Sequence, residues 1–69
     1  MTYSWQDLDD IAINLYDTYP DIDPLTVRFT DLLNYILKLD EFEGKREESN
    51  EARLEAVQMA WYEEWKDNQ

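Results

Sequence analysis

The chain contains no cysteine and no histidine. The first absence excludes disulfides and a thiolate nucleophile, and the two together remove the ligands zinc prefers. The commonest general base is gone with histidine. A single glycine, Gly44, excludes a glycine-rich phosphate loop. The only serines, Ser4 and Ser49, both stand where a helix cap is needed. Paired carboxylates can do acid–base work, but they need a walled cleft, and 69 residues leave little chain to build one. The chain therefore reads as a protein other than an enzyme.

Positive charge is scarce too. Six Lys and Arg face seventeen Asp and Glu, for a net charge of −11. Such a field repels nucleic acid and anionic membranes and attracts cations and basic protein surfaces. Solubility alone is the plain alternative. No segment approaches the roughly 20 apolar residues that span a bilayer. The opening residues, Met1 to Asp7, lack the basic-then-apolar pattern of a signal peptide. The expectation is a soluble, cytoplasmic, monomeric protein of one domain, residues 1–69. Ten aromatic residues supply large apolar area per side chain, which favours a packed core over the disorder that high net charge promotes.

The apolar pattern is helical. Trp5, Leu8, Ala12, Leu15 and Tyr19 recur at three- and four-residue steps, with Ser4 as the expected N-cap. Asp7, Asp10, Asn14 and Asp17 fall on the opposite side of that helix. Pro20 disfavours helical geometry at Tyr19 and ends the element. Asp23 before Pro24 starts a short turn, followed by a brief extended link through Val27 and Phe29. Thr30 is expected to cap a helix running to about Leu39, with Leu33, Tyr35, Ile36 and Leu37 supplying its apolar contacts. A polar loop around Gly44 follows, pinned by Phe42. Ser49 is expected to cap a last helix whose inward stripe is Leu54, Val57, Gln58, Trp61 and Trp65. The fold class expected is all-α: three to four helices, helix-turn-helix-like, with at most a vestigial strand.

A DNA-binding role for such a fold needs several Lys or Arg on the reading helix, and the stretch from Thr30 to Leu39 offers only Lys38. Nucleic acid is excluded as a partner. For metals, only the oxygen ligands of Asp and Glu remain, which suit hard cations. A calcium-loop register starting at Asp21 fails, because Leu25, Thr26 and Leu32 occupy ligand and glycine positions. Any metal site would be a shallow carboxylate cluster, weak and poorly selective.

The segment from Leu15 to Leu32 carries the run Tyr-Pro-Asp-Ile-Asp-Pro followed shortly by Thr-Val-Arg-Phe-Thr-Asp. With Trp5 upstream, and Ser49-Asn50-Glu51 and Leu54-Glu55-Ala56 downstream, it resembles the IscX family, also called YfhJ. The likeness spans roughly residues 5 to 64. It implies a bacterial accessory protein of iron–sulfur cluster assembly with a modified winged-helix fold. Members of that family bind the cysteine desulfurase IscS, bind iron weakly through surface carboxylates, and overlap in function with bacterial frataxin. What it implies for this chain is a regulator of the desulfurase or, alternatively, an iron carrier to the cluster scaffold. A purely structural acidic module is the third reading.

Matched to the family motif, Asp17, Asp21, Asp23 and Asp31 are the acids to carry over, with Arg28 among them. Helix geometry adds Asp7 and Asp10 to the partner-binding set. Asp17, Asp21 and Asp23 are the expected weak iron ligands. Each has a plainer reading: Asp23 as a cap, Asp31 as complement to a helix dipole, Arg28 as the ion-pair partner of Asp23 or Asp31. Gly44-Lys45-Arg46 departs from the more acidic loop expected there, and Trp65 to Asp67 extend the last helix.

Overall fold

The computed structural model describes residues 2–68; Met1 and Gln69, the ends of the expected domain span, lie outside the described residues. The first helix, α1, covers Leu8–Thr18. Its apolar stripe is Leu8, Ile11, Ala12 and Leu15, and Ile11 and Leu15 are fully buried. Asp9 and Asp10 sit in the first turn, where carboxylates complement the positive end of the helix dipole. Tyr19 closes the helix ahead of Pro20, and its N–H donates to the Leu15 carbonyl at 2.8 Å.

One of two short 3₁₀ turns among the described residues spans Pro24–Thr26, capped by Asp23, whose carboxylate accepts from the Leu25 N–H at 3.0 Å; the other is Arg46–Glu48. Helix α2 covers Phe29–Leu37 and α3 covers Glu51–Asp67. Both α1 and α2 pack on α3, and α3 also holds the Pro24–Thr26 turn. The Gln58 amide makes that last contact specific, donating to the carbonyls of Pro24 at 3.0 Å and Val27 at 3.3 Å. At the centre, Ile11, Leu15, Leu32, Ile36, Val57 and Trp61 are fully buried. Each aliphatic side chain so buried contributes about 1.5–3 kcal/mol. No polar or charged residue among those described joins this core.

The structure moves three caps expected from the sequence. Ser4 does not open α1. Residues Ser4 to Asp7 form a turn, closed by the Asp7 N–H donating to the Ser4 carbonyl at 2.9 Å and the Asp7 carboxylate accepting from the Ser4 N–H at 3.0 Å, and Asp7 becomes the N-cap residue. Trp5 thus packs on the core from ahead of the helix. Thr30 lies inside α2, which begins at Phe29 after the extended Arg28. Asn50, not Ser49, caps α3, accepting from the Arg53 N–H at 2.8 Å; the Ser49 hydroxyl donates instead to the Arg46 carbonyl. For α2 the extended Arg28 starts the helix, and for α3 Asn50 supplies both the extended backbone and the acceptor, while Asp7 opens α1 with its carbonyl alone, accepting from the Ile11 N–H at 3.0 Å. Helix α2 also stops at Leu37 rather than Leu39.

The extended link expected at Val27 and Phe29 makes no bridge. The only bridge among the described residues pairs Tyr3 with Phe42, in parallel. The Tyr3 N–H donates to the Glu41 carbonyl at 3.1 Å, and the Glu43 N–H donates back to Tyr3 at 2.8 Å. Phe42 meets Trp5 and Tyr3 edge-on, with ring centroids 5.2 and 5.9 Å apart. Phe42 thus anchors the loop, as expected, against aromatic rings of the N-terminal segment.

Candidate acidic interaction surface

Asp10, Asp17, Asp21 and Asp31 are exposed. Among the described residues, none of these four carboxylates is engaged in a hydrogen bond or an ion pair. Asp10 and Asp17 are seven residues apart on α1 and so share one side of it. Asp21 lies in the turn that follows and Asp31 in the first turn of α2. The other two acids have structural work. Asp23 caps the 3₁₀ turn, and Asp7 closes the turn that precedes α1. Arg28 is exposed and forms no ion pair with Asp23 or Asp31. The plain pairing considered for it is absent, which leaves those acids without local neutralisation.

Asp10 is drawn into a second setting. With Thr2, Tyr3, Asn14 and Glu41 it lines a recess of about 230 Å³. The Tyr3 hydroxyl donates to the Asp40 carbonyl at 3.0 Å. Burial pushes the Tyr3 hydroxyl above its ordinary pKa, and the negative charges of Glu41, Asp40 and Asp10 push it further the same way. The phenol stays protonated, and this recess is an acidic place on the surface.

More acid collects where α1 meets α3. Asp9, Glu63, Glu64 and Asp67 surround a groove of about 460 Å³ whose floor is Ala12, Ile13 and Ala60. Sequence reading missed all four. Their signal was present: Ala60, Glu63, Glu64 and Asp67 stand at i, i+3, i+4 and i+7, and Asp9, Ala12 and Ile13 at i, i+3 and i+4. Each pattern marks one helix side, but only the packing of α1 on α3 brings the two sides together. Trp5, Leu8, Ala52, Arg53 and Ala56 help line a separate, more apolar recess of about 470 Å³.

No group of three or more carboxylates among the described residues comes together as a metal site. Asp17, Asp21 and Asp23 follow one another along the chain without converging, and Asp23 already accepts a backbone hydrogen bond. They do not form a preformed cage for a resident ion. None of the described helices is long and apolar enough to cross a membrane.

Comparison with known proteins adds the family. The model of the family described as iron–sulphur cluster assembly matches residues 3–66. An uncharacterized protein of Pseudomonas aeruginosa is 42% identical over 64 residues, covering 93% of this chain and 97% of the relative. The match takes in the N-terminal bridge, α1, α2, all but the last residue of α3, and the Tyr-Pro-Asp-Ile-Asp-Pro segment between α1 and α2. An acidic, all-helical domain is therefore, by a match running nearly end to end, a member of the IscX family of iron–sulphur cluster assembly.

Proposed function

We propose that this chain is an accessory protein of iron–sulfur cluster assembly that docks through its acidic surface on an IscS-type cysteine desulfurase and regulates it. The observation that carries the reading is the state of its carboxylates. Asp10, Asp17, Asp21 and Asp31 are exposed and unneutralised among the described residues, on a chain with net charge −11. Keeping so many like charges apart from any counter-charge costs stability, and a positively charged partner would relieve that repulsion. Electrostatic attraction speeds encounter and makes affinity depend on salt.

In this reading the protein acts as a monomeric cytoplasmic adaptor, without catalysis of its own, and competes with bacterial frataxin for the desulfurase. Asp7, Asp10, Asp17, Asp21, Asp23 and Asp31 form the contact set, with Arg28 at its edge. Iron is bound weakly and exchangeably by Asp17, Asp21 and Asp23 as cargo, not as a resident cofactor, in keeping with three acids that do not converge.

Desulfurase binding measured across a salt series tests the docking. Affinity should fall steadily with ionic strength and fall further for the Asp17→Asn, Asp21→Asn double variant. Affinity indifferent to both would remove the reading. A parallel titration with ferrous and ferric iron, read by NMR, checks the cargo role: line broadening should centre on Asp17 to Asp23 and vanish when all three acids are amidated.

A further inference from the structure

The groove between α1 and α3 combines two properties that the rest of the acidic surface lacks. It is lined by four carboxylates and no base, and it has an apolar floor. Asp9, Glu63 and Asp67 are exposed. Ile13 on the floor is 43% exposed, one of only three large hydrophobic residues left open among those described. Neither property is explained by folding. An exposed Ile gains nothing from water. Glu63, Glu64 and Asp67 sit in the closing turns of α3, where the carbonyl end of the helix dipole already carries partial negative charge and disfavours acids. Lys66 is the only base in that last turn, and it does not line the groove. The Glu64 carboxylate accepts from the Asn68 amide at 3.3 Å; the carboxylates of Asp9, Glu63 and Asp67 make no hydrogen bond or ion pair with any described residue.

We propose that this groove is a docking site for a basic segment of a partner protein that carries one apolar side chain among its Lys or Arg residues. The apolar side chain seats on Ala12, Ile13 and Ala60, and the flanking cations meet Asp9, Glu63, Glu64 and Asp67. Charge complementarity commits the site to this occupant. An acidic or neutral segment would leave four carboxylates facing it unpaired, and a second copy of this chain would bring its own net charge of −11 against them. The inference rests on the reading that the chain docks on positive charge, and it adds an anchor between α1 and α3 to the contacts assigned to α1, the turn after it and α2.

The test uses the whole chain and a defined probe: a Lys-rich synthetic peptide with one central Leu, beside its Leu→Ala counterpart of equal charge. Amide shifts on titration should centre on Ala12, Ile13, Ala60 and Glu63. The Leu→Ala peptide should bind about tenfold more weakly, the loss expected when most of a Leu side chain no longer leaves water. Shifts spread evenly over Asp17, Asp21 and Asp31, or equal affinity for the two peptides, would overturn the proposal. The variant Glu63→Gln, Glu64→Gln, Asp67→Asn removes the rim without threatening the fold, because it takes acids away from a helix C-terminus. That variant should lose peptide binding, while a charge-matched control away from the groove and the contact set, Glu43→Gln, Glu47→Gln, Glu55→Gln, retains it. The same two variants are then set against the desulfurase. A desulfurase that binds wild type and rim variant alike rejects the groove as its anchor, although docking on positive charge survives. A desulfurase that does not bind wild type, while the Leu peptide still seats in the groove, upholds the groove and removes the desulfurase reading.

Discussion

The indole N–H of Trp5 donates to the Lys45 carbonyl at 2.9 Å, and that bond holds the ring edge against Gly44. Trp5 is almost completely buried, so it cannot retreat. A Cβ on residue 44 would lie 2.6 Å from Trp5 Cδ1 and 2.5 Å from Phe42 Cζ, far inside contact distance. The only glycine of the chain is there because two rings need its space. Gly44→Ala should destabilise the fold by about 1–3 kcal/mol, the cost of overpacking a tight contact. Urea unfolding followed by tryptophan fluorescence measures it; an unchanged midpoint would mean that the loop moves aside freely.

Gln58 ties α3 to the turn between α1 and α2 through the carbonyls of Pro24 and Val27. Replacing it with Leu leaves those acceptors short of a donor and should cost about 1–2 kcal/mol. Gln58→Glu should cost more at neutral pH, because a carboxylate would face two carbonyl oxygens. Protonation restores a donor, so the gap between the two variants should narrow as pH falls through the carboxylate range. Parallel denaturation curves at neutral and acidic pH decide this.

Trp61 fills the centre of the core with its ring nitrogen buried and without a hydrogen-bond partner. An unpaired buried donor costs about 1–3 kcal/mol. Trp61→Phe loses ring volume but also sheds that donor, so the two effects partly offset. The expected loss for Phe is under about 2 kcal/mol, against about 3–5 kcal/mol for Trp61→Ala. Thermal melts of the two variants should therefore differ widely, with the Ala form close to unfolded at room temperature.

Tyr3 gives the fold an alkaline limit. Its folded pKa is raised above the ordinary 10.0, first by burial and then by Glu41, Asp40 and Asp10. The protonated phenol is thus favoured by folding. Its contribution is complete below the unfolded value of about 10 and is lost as pH rises through the higher folded value. Tyr3→Phe gives up the bond to the Asp40 carbonyl, about 1 kcal/mol at neutral pH, but should show a shallower decline above pH of about 10. Urea midpoints across that range give the comparison, and parallel declines would contradict it.

Self-repulsion should make the isolated protein more stable in salt. With a net charge of −11 and open carboxylates on α1, α2 and α3, screening removes more repulsion than attraction. The melting temperature should rise by about 5 °C between low salt and about 0.2 M, if screening recovers on the order of 1 kcal/mol. The rim variant of α3, with three fewer charges, should rise less.

Local chemistry was readable along the chain. The three- and four-residue steps of apolar side chains identified three helices, Pro20 marked the end of the first, and Asp23-Pro24 marked the tight turn. Those features depend on a few adjacent residues, and the net charge depends on none of their positions. Cap positions slipped by a residue or more at Ser4, Thr30 and Ser49 because several neighbouring polar residues can serve one helix end, and contacts elsewhere choose among them. What no periodicity could reveal was which helix sides face one another. The Tyr3–Phe42 bridge, the meeting of Trp5 with Gly44 and the meeting of Asp9 with Glu63, Glu64 and Asp67 join residues 39 to 58 positions apart in the chain. The chain alone thus set how much negative charge the protein carries and on which helices. Packing of α1 against α3 decided where that charge gathers around an apolar floor, because distance in space between two helices is fixed only when their buried stripes interlock.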